Sequence, residues 1–302
     1  MSSYAVTGSA SGIGAAVTGR LRAAGHSVIE VDLHDADILA DLGTPEGRSA
    51  AAAGVLERSG GVLDGAVLAA GIGPSPGPDR PRKIAQINQL GTVELLTALR
   101  LALSASGDAR AVVFGSNSAS VTPGVPRRVI RALRAGEIDR AVRTLRLFGP
   151  VAPNIAYAAS KIAVTDWARR AAVTPAWAGA GIRLNVLAPG PVRTPLLNEE
   201  LANPAAARAF RAFPIPVGGV GDPGHLADWV MMMLSPAAAF LCGSVIVVDG
   251  GSEAWLRAER VATARRPLAG APLSVALSSL LPVLVHPITL NRRAGFFARS
   301  FR

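Results

Sequence analysis

Tyr157 and Lys161 stand four residues apart in the stretch NIAYAASK, residues 154–161. On a helix that spacing puts both side chains on one face, one turn apart. A free phenol titrates near pH ~10, too high to exchange protons at neutral pH. A cation held beside it favours the phenolate and lowers that value. The pair is therefore a candidate general acid–base unit, a device worth about 10² to 10⁴ in rate. The same spacing also fits two residues that merely pack on a helix surface. The lysine is unusual in this chain, because only Lys83 and Lys161 among 31 basic residues are lysines. Arginine stays protonated, whereas lysine shifts its pKa and can relay protons.

A second chemical signal lies at the amino end. Residues 4–7 read as a short buried strand, followed by GSASGIG at 8–14 and an alanine-rich helix to about residue 24. A strand, a glycine-rich turn and a helix make an anion site, with backbone N–H groups and the helix N-terminus aimed at a phosphate. The next strand, VIEV, ends in Asp32. A carboxylate there accepts hydrogen bonds from a ribose 2′-hydroxyl and repels a 2′-phosphate. A capping or loop aspartate is the plainer reading of the same residue.

Other elements must position these groups. A short strand is expected at 37–42, and a helix at 44–58 with Thr44 as N-cap and Pro45 behind it. A strand at 63–70 runs into a Gly/Pro-rich loop at 73–81, expected to be mobile. A long helix at 83–104 carries Asn88, and an apolar strand at 111–114 ends at Gly115-Ser116. Between 120 and 153 lies a basic stretch with two apolar stripes at helical spacing: Val129, Ile130, Leu133, then Ile138, Val142, Leu145. Gly136 falls between them, so the stretch reads as a helical hairpin whose arginines form a solvated or interface face rather than a nucleic-acid patch. The Tyr157 helix is expected to reach about residue 178. Strands at 182–187 and 244–248, with a helix at 223–234 between them, complete the pattern. The segment 191–221 carries Leu196, Leu197, Phe210, Phe213 and Ile215. Strands alternating with helices imply a parallel sheet covered on both faces, with ligands bound beyond the carboxyl ends of the strands.

Composition narrows the field. The net charge is +10. From residue 257 onward there are eight arginines against one acid, so the tail carries most of the excess and the rest is nearly balanced. One cysteine, Cys242, rules out an internal disulfide framework and points to a cytoplasmic protein. Four scattered histidines and that cysteine offer no metal-site spacing, so no metal is expected. No charged leader precedes an apolar run, so no secretory signal is expected. The tail stretch 268–290 is long enough to span a bilayer but is broken by Pro272, Pro282 and Pro287. It reads as a loosely ordered or docked extension, with membrane-surface contact as the less favoured alternative.

Taken in order, TGSASGIG, the AAG of 69–71, the INQLG around Asn88, the GS at 115–116, YAASK, NVLAPG with Thr194, and VDGG resemble the short-chain dehydrogenase/reductase family over about residues 1–256. The chain is most similar to its NAD-dependent 3α-hydroxysteroid dehydrogenase/carbonyl reductase branch, on VDLHDADILADL, the long stretch before NIAYAASK, and GIGPSP. The resemblance implies a doubly wound, Rossmann-like α/β fold with a seven-stranded parallel sheet, a helical-hairpin insertion at about 120–153, and a tail at 257–302. It implies hydride transfer between NAD(H) and a secondary alcohol or ketone. Tyr157 would be the proton donor and acceptor, Lys161 would lower its pKa, and Ser116 would hydrogen-bond the substrate oxygen. Asn88 would complete a proton relay through water. Gly8, Ser11, Gly12, Ile13 and Gly14 would lie at the pyrophosphate, Asp32 at the adenosine ribose, and Asp41 and Leu42 at the adenine. Ala70, Gly71, Pro189 and Gly190 would line the cofactor, and Val192 and Thr194 would position the carboxamide. The apolar residues Leu196, Leu197, Phe210 and Phe213 suggest a bulky apolar substrate, a hydroxysteroid or else a terpenoid or aromatic ketone. A homodimer is implied, since the insertion feeds into the Tyr157 helix that commonly forms the subunit interface. A nucleotide-binding regulator without turnover is the rival from another class. One departure stands out: the family's usual Asn-Asn-Ala-Gly is Leu68-Ala69-Ala70-Gly71 here.

Overall fold

The computed structural model describes residues 1–77 and 79–258. The apolar tail stretch and most of its flanking arginines lie outside the described residues. In chain order the amino-terminal half contains β1 (Ser3–Thr7), α1 (Gly12–Ala23), β2 (Ser27–Asp32), β3 (Ile38–Leu39), α2 (Pro45–Arg58), β4 (Gly65–Leu68) and α3 (Arg80–Ile84). A π-helical turn, Ala85–Gly91, leads to α4 (Thr92–Ala98), α5 (Arg100–Ala105) and β5 (Ala109–Phe114). The carboxyl half contains α6 (Ser118–Val121), α7 (Arg127–Arg134), α8 (Ile138–Leu145), α9 (Ala152–Ala172), β6 (Ile182–Pro189), α10 (Pro195–Leu201), α11 (Pro204–Arg211), α12 (Pro223–Leu234), β7 (Val245–Val248) and α13 (Ser252–Arg257).

All seven strands are parallel, in the order β3-β2-β1-β4-β5-β6-β7. The winding reverses between β1 and β4, which opens a crevice above their carboxyl ends. The central strands are buried on both faces, which is why they read as continuous apolar runs rather than alternating ones. One face packs Val17 and Leu21 of α1 with Leu226, Val230 and Met233 of α12. The other packs Ala51 and Val55 of α2 with Leu95, Leu96, Val164 and Ala168. α2 starts as the sequence predicts, Thr44 accepting a hydrogen bond from the Gly47 amide at 3.0 Å.

The two stripes of the basic stretch do form a hairpin. Gly136 adopts the left-handed turn (φ +71°) between α7 and α8. Val129, Leu133, Val142 and Leu145 are buried against Ile84 and against Ile155 and Ala159 of α9. An Arg134–Asp166 ion pair ties the hairpin to that helix. Its apolar side is thus spent on the Tyr157 helix, and its arginines face outward.

Three differences from the expected boundaries stand out. β3 has two residues, because the chain turns at Asp41–Gly43 with the Thr44 amide bonded to the Asp41 carbonyl at 3.1 Å. α9 stops at Ala172, since Pro175 disfavours helix in the residue before it and the Thr174 hydroxyl donates to the Ala171 carbonyl at 2.8 Å. The expected helix at 83–104 is broken into pieces around the π turn that carries Asn88, and π turns gather at functional sites.

Candidate active site

The glycine-rich turn sits above β1. Gly8 and Gly12 have φ of +68° and +55°, open to glycine at little cost. A Cβ on Gly8 would lie 2.8 Å from the Ala70 amide nitrogen, and one on Gly14 only 2.0 Å from the Gly8 carbonyl oxygen. One on Gly12 would lie 3.2 Å from Thr194 Cγ2, so the turn faces the segment after β6. Ser11 is the α1 N-cap but makes no side-chain cap, and no acidic residue occupies the first turn of the helix. The Ser9 hydroxyl is buried without a partner. Free helix N–H groups, an unspent buried hydroxyl and a cradle that a Cβ would fill suit a phosphate-bearing group. Ile13, just inside the helix, packs against the core from its half-buried position.

Asp32, at the end of β2, accepts from the Ala10 amide at 2.9 Å and the Leu33 amide at 2.6 Å. The capping role is therefore real, and it also fixes a carboxylate beside the glycine-rich turn. Just after β4 the Thr7 hydroxyl accepts from the Ala70 amide at 3.1 Å, joining β1 to the chain after β4.

Lys161 and Asn88 converge on Gly71. A Cβ there would meet Asn88 Oδ1 at 3.2 Å and Lys161 Nζ at 3.8 Å. Lys161 donates to the Phe114 carbonyl at 2.8 Å, and its ammonium lies 5.9 Å from the Tyr157 ring centroid. Ser116 follows β5 directly, and its hydroxyl lies within reach of the Tyr157 side chain, where it favours the phenolate. It also accepts from the Ser118 amide at 3.1 Å. Ser116, Tyr157 and Lys161 thus meet in space, with the hairpin looped out between the first two. The Asn88 side-chain amide accepts from the Ile72 N–H and donates to the Ile72 carbonyl, both at 2.9 Å, and so holds the loop after β4.

Burial sets the direction in which both groups of the pair shift. Desolvation pushes the Tyr157 phenol up to about 12, with the Ser116 hydrogen bond pulling back and the charge of Glu200 adding to the rise. Desolvation also brings Lys161 down to about 8.

Pro189 and Gly190 end β6, and the Gly190 amide bonds the Val248 carbonyl at 3.0 Å. A Cβ on Gly190 would lie 2.6 Å from the Asp249 Cβ, so only glycine lets the β6 and β7 ends close. Val192 is buried, and Thr194 caps α10. Leu197 is buried, and Leu196 lies over Gly73. Phe210 of α11 and Phe213 are half-buried in the same segment.

Three site features escaped the sequence reading. Asn117 donates to Asp249 at 3.1 Å, and its amide bonds the Pro189 carbonyl at 2.9 Å, so the β5, β6 and β7 ends are locked around Ser116. The VDGG motif was the available signal. Arg80 donates to the Gly73 carbonyl at 2.8 Å and pairs with Glu199 at 3.1 Å, clasping α10 to the loop that the sequence leaves free. Glu200, next in line, turns its charge toward Tyr157, and burial, followed by the neighbouring Glu199, raises its own pKa. Glu200→Gln removes a negative charge that favours the protonated phenol. The alkaline midpoint of the pH–rate profile for alcohol oxidation is therefore expected to move to lower pH. An unmoved midpoint would mean that Glu200 does not act on Tyr157.

Comparison with known proteins agrees with this geometry. A family model described as enoyl-(acyl carrier protein) reductase matches residues 146–253. The chain is 38% identical over 257 residues to the 3-alpha-hydroxysteroid dehydrogenase/carbonyl reductase of Comamonas testosteroni, covering 85% of this chain and 98% of that protein. It is 30% identical over 266 residues to a 2,5-dichloro-2,5-cyclohexadiene-1,4-diol dehydrogenase of Sphingobium indicum, covering 82% and 94% of the two chains. The crystal structure of the 3-alpha-hydroxysteroid dehydrogenase from Pseudomonas sp. B-0831 complexed with NADH superposes with a TM-score of 0.80 at 44% identity, covering 85% of this chain and 99% of that one. With the Tyr157–Lys161–Ser116 cluster at the carboxyl edge of a seven-stranded parallel sheet and relatives matched along nearly their whole length, the chain belongs to the short-chain dehydrogenase/reductase family.

Proposed function

We propose that this protein interconverts a bulky apolar secondary alcohol and its ketone, using NAD(H), and that residues 1–256 form its catalytic domain. The observation that carries the reading is the convergence of Ser116, Tyr157 and Lys161 near α10, which Arg80 clasps to the loop after β4. NAD supplies the hydride acceptor, and NADH the donor. Gly8, Ser11, Gly12, Ile13 and Gly14 would hold the pyrophosphate, Asp32 the adenosine ribose, and Asp41 and Leu42 the adenine. Asp32 favours NAD by repelling a 2′-phosphate. Ala70, Gly71, Pro189, Gly190, Val192 and Thr194 would line the nicotinamide half.

Ser116 holds the substrate oxygen by hydrogen bonding, and Tyr157 gives its proton in ketone reduction or takes one in alcohol oxidation. A phenol raised to about 12 is protonated at neutral pH and ready to donate. Oxidation needs the phenolate, so its rate is expected to climb with pH well above neutrality. Lys161 fixes the Tyr157 face of α9 through Phe114 and holds a proton within reach.

The substrate class is a ring-borne hydroxyl, with a 3α-hydroxysteroid as first candidate. The names of the relatives support this, since the Comamonas, Sphingobium and Pseudomonas proteins are all dehydrogenases named for hydroxylated rings. The wall of Leu196, Leu197, Phe210 and Phe213 favours such a body over a small polar alcohol. A panel of hydroxysteroids, terpenoid alcohols and aromatic ketones, followed at the NADH absorbance band, tests the reading. Turnover of the steroid ring is the expected result. Binding of NADH with no turnover of any carbonyl compound would favour the regulator reading instead.

A homodimer goes with this reading. The hairpin occupies α9 through its apolar stripes and the Arg134–Asp166 pair. Among the described residues β7 is an edge strand with Val245 and Val247 exposed, and Trp229 and Met232 of α12 are exposed as well. Light scattering is expected to give twice the chain mass. Deleting residues 125–151 is expected to change that mass, and an unchanged value would count against any role of the hairpin in assembly.

A further inference from the structure

Three charged side chains are buried among the described residues: Lys161, Asp249 and Arg48. Lys161 belongs to the catalytic cluster, and Asp249 locks the β5 to β7 ends. Arg48 is far along the chain from either and has no part in the chemistry derived above. A buried guanidinium costs several kcal/mol in desolvation (order of magnitude) unless its hydrogen bonds offset it, so its placement asks for a reason.

Arg48 lies in the first turns of α2, with its side chain 8% exposed. Its Nε donates to Glu94 Oε2 at 2.6 Å, and its Nη1 donates to the Leu42 carbonyl at 3.1 Å. One planar group therefore joins the turn after β3 to α4, which continues the π turn that carries Asn88. The turn itself has no slack. Asp41 Oδ1 accepts from the Gly43 amide at 2.8 Å. A Cβ on Gly43 would meet Ile87 at 3.2 Å, one on Gly47 would meet the Asp41 carbonyl at 2.0 Å, and one on Gly91 would meet Leu42 at 3.1 Å. Leu42 is buried while Asp41 is exposed. The anchored carbonyl of Leu42 thus sets where the Asp41 carboxylate and the Leu42 N–H stand at the edge of the crevice.

We propose that Arg48 is a positioning residue for the adenine end of the cofactor: through the Leu42 carbonyl it fixes the Asp41–Leu42 edge against which the base is read. This rests on the assignment of Asp41 and Leu42 to the adenine made above. An exposed carboxylate beside an N–H is an acceptor–donor pair. It complements the amino group and ring nitrogen of adenine and clashes with the carbonyl and ring N–H of hypoxanthine. The function of Arg48 is then base discrimination, not stability alone.

The test compares NADH with reduced nicotinamide hypoxanthine dinucleotide by fluorescence titration, together with AMP and nicotinamide mononucleotide by competition or calorimetry. Arg48→Met is expected to weaken NADH and AMP about tenfold, the scale of a hydrogen bond to a charged group. It should leave nicotinamide mononucleotide and saturated kcat unchanged and shrink the preference for adenine over hypoxanthine. Arg48→Lys, which can reach the Leu42 carbonyl but cannot fork to Glu94, should recover part of the preference. If Arg48→Met does not fold, Glu94→Gln keeps the Leu42 bond while loosening its anchor, and a smaller loss of the same preference is expected. An undiminished preference in the variants that fold, or equal losses of AMP and nicotinamide mononucleotide, overturns the proposal. Asp41→Ala separates the two layers. If it too leaves the base preference intact, the adenine lies elsewhere and the underlying site assignment fails. If it abolishes the preference while Arg48→Met does not, only the role of Arg48 fails.

Discussion

Replacing Tyr157 by Phe is expected to lower kcat by about 10² to 10⁴ while NADH still binds. Phenylalanine keeps the ring that packs against the hairpin cluster and lies 5.9 Å from the Lys161 ammonium. Only the hydroxyl is lost, and with it the Ser116 hydrogen bond and the proton. The loss should fall on kcat, because the interaction is made to an atom whose charge changes in the transition state. In the direction of ketone reduction the wild-type rate should hold at neutral pH and fall only as the phenol, raised to about 12, begins to ionise. In the direction of oxidation the rate should rise over the same range. Steady-state kinetics in both directions, with a fluorescence titration of NADH on the variant, reads all of this. Turnover near wild type would remove Tyr157 from the acid–base role.

Gly14→Ala should abolish dinucleotide binding. The added carbon would sit 2.0 Å from the Gly8 carbonyl oxygen and 3.2 Å from that of Thr7. Both neighbours are backbone at the end of β1, so no side chain can swing away. The turn has to open, which breaks the phosphate cradle and strains β1 against β4. Overpacking of this kind costs roughly 1–3 kcal/mol. Gly19→Ala in the same helix is the matched control: nothing lies within 4 Å of its Cβ position. There, alanine should stabilise the helix by about 0.5–1 kcal/mol through its better propensity. Thermal unfolding and NADH fluorescence on the two variants should move in opposite directions for stability, with binding lost only in the first. Retained NADH affinity in Gly14→Ala would show that the turn is not the phosphate site.

Much of this site follows from local pattern. The glycine-rich turn between a strand and a helix, the Tyr–Lys spacing, the serine at a strand end and the two apolar stripes about Gly136 are all short-range. Each depends on backbone conformation or helical periodicity within a few residues. The sequence alone therefore determined the element order and the doubly wound class. It also determined that the hairpin would have an apolar side in need of a partner.

Tertiary structure decided what those side chains feel. Tyr157 and Lys161 are a helical turn apart, and sequence reasoning expects the cation to lower the phenol. Burial by residues from distant elements raises the phenol and lowers the ammonium, moving both groups toward their neutral forms. Asn88 stands where the motif puts it, and its side-chain amide is tied to the Ile72 backbone after β4. Arg80, Arg48 and Asn117 look like ordinary polar residues in the chain, because their partners Glu199, Glu94 and Asp249 come from distant parts of the fold. Desolvation and long-range hydrogen bonding are sums over neighbours that only the packed fold brings together, and no spacing within a single element encodes them.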